Sequence, residues 1–190
     1  MAYGRSALLT VLNTSLALPS VVVGLAVYLL LSRSGPLGFL GWLFSFKAMV
    51  VAQTILVLPV VTALTRQVIA QADRMQGEGL RSMGASTLMR ACLLTWNERF
   101  ALMTVVLTGF GRAVSEVGAV MIVGGNMEGF TRVMTTSIAL ETSKGELPIA
   151  LGLGIVLLVV VLLLNVLMGW VVRAGRHGTT DNDAPRGAVA

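Results

Sequence analysis

Two charged residues inside an otherwise apolar stretch are the first candidates for chemistry. Arg112 and Glu116 are four residues apart within residues 100–124. On a helix they would share a face and could form an ion pair. A charge near the centre of a bilayer costs several kcal/mol, so each must face a partner or a watery cavity. Two interpretations stay open: a structural pair that orients the helix, or side chains that line a substrate path or gate.

Catalysis by this chain is not expected. The sequence contains no GxxxxGK[ST] nucleotide-binding loop, so it would not hydrolyse ATP by itself. It offers no nucleophile–base–acid set and no cluster of metal ligands. Cys92 is the single cysteine, which excludes an intramolecular disulfide, and His177 has no second ligand nearby. We therefore predict no catalytic residue, metal or cofactor in the chain, which leaves transport or scaffolding.

The composition is that of an integral membrane protein. Of 190 residues, 55% are hydrophobic and only 12% are charged, about half the charged share of a soluble domain. Four segments are long enough to cross ~30 Å of hydrocarbon as helices. They are residues 7–31, 48–69, 100–124 and 147–172. The predicted fold class is an all-α polytopic transmembrane bundle of about four spans.

The distribution of positive charge predicts the topology. Five arginines lie between residues 66 and 99, and three more follow the last span. The connections at 32–47 and 125–146 carry one arginine and one lysine each. The positive-inside rule therefore places the central loop and both termini in the cytoplasm. The net charge of +5 follows from this bias, so the lipid bilayer is the expected partner and nucleic acid is not.

The domain organisation follows from these spans. Residues 1–176 are predicted to form one transmembrane domain, with a cytoplasmic loop within 70–98, and residues 177–190 a polar disordered tail. The loop is predicted to hold two short helices broken by Gly84-Ala85-Ser86, with Ser86 capping the second one at 87–94. Its apolar stripe could dock into a protein groove, lie on the membrane, or belong to an ordinary amphipathic loop.

The third span is expected to break near its charged pair. Several glycines interrupt residues 100–124 around Arg112 and Glu116, and small residues let helices approach closely in a bilayer. A short helix near residues 131–141 is predicted in the outer segment that follows.

Two segments resemble a known transporter family. Glu78 followed six residues later by Gly84 resembles the EAA loop of ABC-importer permeases, with Gly79 and Leu80 in place of the two alanines. The stretch 109–119 resembles the G-R-A-x-x-E-x-G-A segment that follows this loop in molybdate- and tungstate-type permeases. Continuing to residue 144, the sequence is most similar to the tungstate-uptake permease group.

The resemblance implies a type I importer permease in the inner membrane of a prokaryotic cell. It implies a homodimer, a separate cytoplasmic ATPase subunit that binds the ATP, and an extracytoplasmic protein that delivers an oxyanion, tungstate first and molybdate second. The implied ATPase-coupling residues are Glu78, Arg81, Gly84 and Ala85. The residues implied along the translocation path or gate are Arg112, Glu116, Gly118, Asn126 and Thr135.

A translocation path must bind the oxyanion weakly, because a tightly bound oxyanion would not be released. Backbone N–H groups at broken helix ends, together with hydroxyls and amides, would suit this path. The Gly-rich region 118–126 and the Thr-rich region 131–136 are therefore expected to line it.

Other functions stay open at this stage. A secondary transporter or channel could use Glu116 as a protonatable site, and a non-transporting membrane anchor or assembly factor is a further alternative. Members of the resembled family carry at least one more hydrophobic span before the part that matches residue 7. We therefore expect either a longer natural reading frame or a truncated copy.

Overall fold

The computed structural model describes residue 14 and residues 16–180, with side chains up to Arg173. Within this part the chain forms seven α-helices and one short 3-10 helix and contains no strand, which confirms the all-α class. The helices are α1 (Ser20–Leu31), the 3-10 helix (Gly38–Leu40), α2 (Phe46–Ser82), α3 (Thr87–Asn97), α4 (Arg99–Val114), α5 (Gly118–Gly124), α6 (Met134–Lys144) and α7 (Leu147–Thr180).

Two described helices are long and apolar enough to cross a membrane by themselves. They are α2 and the part of α7 at Leu147–Arg173, which confirms the predicted spans at 48–69 and 147–172. Helices α4 and α5 qualify together as a third span that is bent by 58°, which confirms the predicted break. The described residues therefore hold two or three spans rather than about four.

The first predicted span, 7–31, is described only in part. Its described helix, α1, has 12 residues and starts directly after Pro19. Proline fits this boundary because it lacks the N–H that a helix interior requires. The remainder of this prediction falls largely on residues 7–13 and 15, which lie outside the described part.

The described chain divides into two compact units. The first comprises residues up to Ala63 together with Gly109–Val160, and the second comprises Leu64–Thr108 with the residues from Val161 onwards. The buried core of the first unit is formed by α1, α2 and α5. Its members are Val23, Val27, Leu31, Ala48, Met49, Ala52, Leu56, Ala119, Val120 and Val123.

Small residues permit the closest helix contact in this core. A Cβ atom added to Gly24 would lie 2.7 Å from the Cα of Ala119, so α1 and α5 touch backbone to backbone. The three buried residues of α1 in the core are spaced by four positions, which places them on one helix face. Dispersion contacts along this face hold α1 against α5.

The loop predicted at 70–98 is more helical than expected. Its first short helix is instead the end of α2, which continues without interruption to Ser82. No proline follows Pro59 in this segment, and the interior glycines lower helix propensity without blocking the hydrogen-bond ladder. The second short helix is present as α3, three residues longer than the predicted 87–94, and Ser86 caps it by accepting a bond from the Met89 N–H at 3.3 Å.

The polar tail also begins later than predicted. Helix α7 extends to Thr180, so residues 177–180 are helical, whereas residues 181–190 lie outside the described part. Between Arg173 and Thr180 the sequence contains no proline to stop the helix, and the first proline is Pro185.

Candidate functional site

The break between α4 and α5 brings most of the predicted path residues together. A helix that stops inside a membrane frees carbonyl groups, which need new donors. The Ser115 hydroxyl donates to the Arg112 carbonyl at 3.1 Å. The Gln53 side-chain amide of α2 donates to the Ala113 carbonyl at 3.2 Å. The break is therefore a satisfied structural feature of the span.

Glu116 lies at the centre of this break. Its side chain is 5% exposed and lies 3.5 Å from the guanidinium of Arg112, which is 43% exposed. The same carboxylate accepts a hydrogen bond from the backbone N–H of Ala119 at 3.1 Å. A carboxylate is stabilised at a helix N-terminus by the backbone dipoles. Glu116 thus both pairs with Arg112, as predicted, and caps α5.

Because Glu116 caps α5, the break has fewer free backbone N–H groups for an anion than the sequence predicts. The sequence predicts that backbone N–H groups at the broken helix ends face the path. In the structure the Ala119 N–H is already bonded to Glu116. A negative carboxylate beside the first turn of α5 would also repel an anion.

Gly118 and Thr135 join the pair at the break. The Thr135 hydroxyl donates to the Glu116 carbonyl at 3.2 Å, and its side chain is buried. A Cβ on Gly118 would lie 2.8 Å from a methyl group of Val21 on α1. Four of the five predicted path residues therefore meet in one cluster within the first unit.

Asn126 does not belong to this cluster. It follows the opposite end of α5, where Gly125 ends the helix with φ +71° and Asn126 itself has φ +48°. The amide oxygen of Asn126 is buried without a hydrogen-bond partner. Seven helical residues separate it from the break, about 10 Å along the helix.

Thr131 organises the chain after α5. Its hydroxyl donates to the Gly124 carbonyl at 2.6 Å and accepts from the Met127 N–H at 2.9 Å. Because these bonds hold Thr131 in a turn, the helix predicted at 131–141 begins only at Met134 and ends at Lys144. The hydroxyl groups of the Thr-rich region therefore stabilise turns and the start of α6, and Thr136 is buried.

The predicted coupling residues lie in the elbow, the segment 73–97 of the second unit. Asp73 of α2 lies 3.8 Å from the Arg81 guanidinium and 3.7 Å from that of Arg90 on α3. The Asn97 side chain donates to Gln76 at 3.2 Å. The contacts of Arg90 and Asn97 tie α3 to the end of α2, whereas the contact between Asp73 and Arg81 lies within α2 and leaves Arg81 60% exposed.

The backbone conformation of Gly84 forms the turn between α2 and α3 in the elbow. Its φ is +76°, and no atom lies within 4 Å of the position a Cβ would occupy. The Gly84 N–H bonds to the Arg81 carbonyl at 2.9 Å and the Ala85 N–H to the Leu80 carbonyl at 3.0 Å, the pattern of a Schellman helix end. Glycine is required here by the left-handed backbone, independently of any partner surface.

The elbow also presents an apolar surface. Met75, Met83 and Leu88 have between 76% and 79% of their surface exposed. Glu78 is exposed, and no described residue forms an ion pair with it. Exposed apolar side chains of this kind are candidates for contact with a partner protein or the membrane surface.

Sequence reasoning missed Gln53 and Asp73. Gln53 is a polar residue within a long apolar run, and such a residue usually satisfies a backbone group on a neighbouring helix. Asp73 is an acidic residue among arginines, which indicates a local network. Both signals were present in the sequence, but the partners depend on tertiary contacts.

Comparison with known proteins decides the family. The model of the binding-protein-dependent transport system inner membrane component family matches residues 2–177. The chain belongs to this family. It is therefore a membrane component of a transport system in the inner membrane rather than a catalytic enzyme, and its apolar helices agree with that location.

Individual relatives are named as anion permeases. The chain is 41% identical to a probable anion ABC transporter permease of Haloferax volcanii over 87% of its own length and 73% of the relative. It is 43% identical to the tungstate uptake permease TupB of Campylobacter jejuni over 82% of its length and 65% of the relative. The sulfate permease CysW of Synechocystis is 30% identical over 81% and 58% of the two lengths.

Proposed function

We propose that the chain is a permease subunit of an ATP-driven importer that takes up tungstate. The observation that carries this proposal is the 43% identity with TupB, a tungstate uptake permease. That similarity extends over 155 residues. The 30% identity with a sulfate permease supports the broader class of tetrahedral oxyanions.

The proposed assembly contains two copies of the chain, a cytoplasmic ATPase and an extracytoplasmic binding protein. The family description itself refers to dependence on a binding protein. The ATPase would dock on the elbow, where Glu78 and the exposed apolar side chains are available to a partner. ATP would be bound and hydrolysed in the ATPase subunit, because this sequence lacks a nucleotide-binding loop.

In this proposal the break in the third span acts as a gate. Helix α5, capped by Glu116, packs on α1 through Gly24. Movement of α5 would open or close the translocation path that this proposal places beside the break. The carboxylate of Glu116 is already engaged by Arg112 and by the Ala119 N–H, which favours a structural role for this side chain over that of a proton carrier.

Reconstitution tests the proposed function. The chain is co-expressed with a candidate ATPase subunit and a candidate binding protein from the same organism, purified as a complex and placed in liposomes loaded with ATP. We expect uptake of tungstate, measured by mass spectrometry of the trapped metal, that stops when ATP is omitted. Molybdate and sulfate are compared at the same concentration.

Three results would overturn the proposal in different ways. Uptake of sulfate in preference to tungstate and molybdate would change the substrate. Flux driven by a pH gradient without ATP would favour the secondary transporter. Absence of flux from an intact complex would favour a membrane anchor.

A further inference from the structure

An open apolar groove lies in the second unit, and one cationic side chain is among the residues that line it. Its volume is about 610 Å³. The lining residues come from α3, α4 and α7, and they are Ala91, Cys92, Thr95, Trp96, Arg99, Leu102, Met103, Val106 and Met168. All but Thr95 and Arg99 are apolar or weakly polar. An apolar groove of this kind in a membrane protein suits a hydrocarbon chain.

The cationic side chain that lines the groove, Arg99, is held in place by neighbouring groups. Its guanidinium lies 5.2 Å from the Trp96 ring centre and 4.5 Å from that of Phe100. One N–H donates to the Trp96 carbonyl at 3.0 Å. Two aromatic contacts and one hydrogen bond orient the group while leaving most of its five N–H donors unused.

The positive charge has no counter-charge in the groove. Among the described residues, no carboxylate lies within ion-pair distance of Arg99, and none lines the groove. Glu98 is adjacent in sequence but is not a lining residue. An oriented arginine with unused donors is the group that binds phosphate oxygens in a bidentate manner.

The groove therefore offers a group that could bind the phosphate of a phospholipid and an apolar surface that could bind its acyl chain. Arg99 begins α4, and Leu102, Met103 and Val106 follow along the same helix, over about 10 Å. Trp96 and Arg99 are residue types typical of the membrane–water interface. We propose that this groove binds one anionic phospholipid, with its phosphate on Arg99 and an acyl chain along α4 and α7.

Cys92 provides a reporter for this site. It is the only cysteine of the chain, it is exposed, and it lines the groove. A lipid in the groove should shield its thiol from alkylation. The full chain is placed in nanodiscs of phosphatidylcholine alone or of an equal mixture with phosphatidylglycerol, and the rate of reaction with uncharged N-ethylmaleimide is measured.

Phosphatidylglycerol should slow alkylation of Cys92 by about fivefold, as expected for one arginine–lipid contact. The variant R99Q should lose this protection. The matched control R74Q removes an equal charge from an exposed arginine of the same unit that does not line the groove. R74Q should keep the protection. Because both variants lose one positive charge, a difference between them reports on the groove and not on a general effect of membrane charge.

A second variant, R99K, tests whether loss of protection in R99Q could result from misfolding. R99K keeps the charge but not the planar group, so partial protection is expected, with circular dichroism and a monodisperse elution profile as checks of folding. Native mass spectrometry should find a retained phosphatidylglycerol on the unmodified chain and on R74Q, but less of it on R99Q.

Several outcomes would overturn the proposal. Equal alkylation rates in the two lipid mixtures, or unchanged protection in R99Q, would exclude a lipid held by Arg99. Equal protection by soluble glycerol phosphate would assign the site to a free phosphate. Protection that depends on having two copies per disc, irrespective of lipid, would assign the groove to a second copy of the chain.

Discussion

At the scale of single residues, the two predicted sites depend on different physical properties. Glu116 is useful because one buried carboxylate can satisfy both a guanidinium and a backbone N–H. Gly84 is useful because it adopts φ +76° without a steric penalty. The spacing of Arg112 and Glu116 predicted their pairing, but the cap on α5 required the tertiary structure.

Replacing Gly84 with valine should impair the elbow without affecting membrane insertion. A β-branched residue in the left-handed region costs about 1 to 2 kcal/mol, and the elbow would relax to another turn. In the reconstituted complex we expect ATP hydrolysis to continue while ATP-dependent uptake falls at least several-fold. Gly79→Ala is the control, because Gly79 lies inside α2 without a positive φ. Full uptake by Gly84→Val would exclude a coupling role for this turn.

Substitutions at Glu116 should separate its two interactions. Glu116→Gln keeps an oxygen that can accept from the Ala119 N–H, whereas Glu116→Ala loses the cap as well as the ion pair. We expect Glu116→Ala to be less stable than Glu116→Gln by about 1 to 2 kcal/mol, measured by thermal unfolding in detergent.

Exchanging the two charges tests the pair further. The double variant with Arg112→Glu and Glu116→Arg restores opposite charges, but arginine cannot accept from Ala119. Only partial recovery is therefore expected. Complete recovery of stability and uptake would show that the cap contributes nothing.

At the scale of secondary-structure elements, each of the two units contains one close contact between helices. In the first unit α1 meets α5 at Gly24 and Ala119. In the second unit Asp73 joins the end of α2 to α3 through Arg90, whose side chain is only 17% exposed. The first contact is steric and the second is electrostatic, so they should respond to different substitutions.

A methyl group at Gly24 should force α1 and α5 apart. The added Cβ would lie 2.7 Å from a backbone atom, which cannot move away as a flexible side chain could. We expect Gly24→Ala to lower the stability of the chain by about 1 to 3 kcal/mol. Gly152→Ala in α7 is the matched control, since nothing lies within 4 Å there, and it should be neutral or slightly stabilising. Equal effects of the two variants would contradict this contact.

Removal of Asp73 should loosen the elbow. Asp73→Ala leaves Arg81 and Arg90 without their counter-charge, so the elbow should open more often. Trypsin cleavage after Arg81 is expected to accelerate about twofold to fivefold. Glu78→Ala removes an equal charge from the same helix but breaks no described ion pair, so its cleavage rate should stay unchanged. Equal acceleration in both variants would assign the effect to net charge.

At the scale of the whole molecule, the orientation in the membrane remains a prediction. The arginine-rich elbow is expected in the cytoplasm by the positive-inside rule. The proposed function needs this orientation, because the ATP supply lies on that side. The elbow contains the only cysteine, Cys92, which is exposed.

Labelling of intact cells tests the orientation. A membrane-impermeant maleimide should leave Cys92 unmodified until the inner membrane is permeabilised. In a Cys92→Ser background, Ser143→Cys, an exposed position at the end of α6, should instead be labelled from outside. The reverse result would place the elbow outside the cell and remove the proposed docking of an ATPase.

The sequence by itself determined the membrane location, two of the spans, the break in the third and the family. These features depend on local hydropathy, spacing and composition, which need no knowledge of neighbouring helices. Only the tertiary structure decided that Glu116 caps α5, that Asp73 pairs with Arg90 of α3, that Asn126 lies apart from the break, and that α2 continues to Ser82. Each of these depends on contacts between elements, or on hydrogen bonds at helix ends, for which the sequence permits several partners.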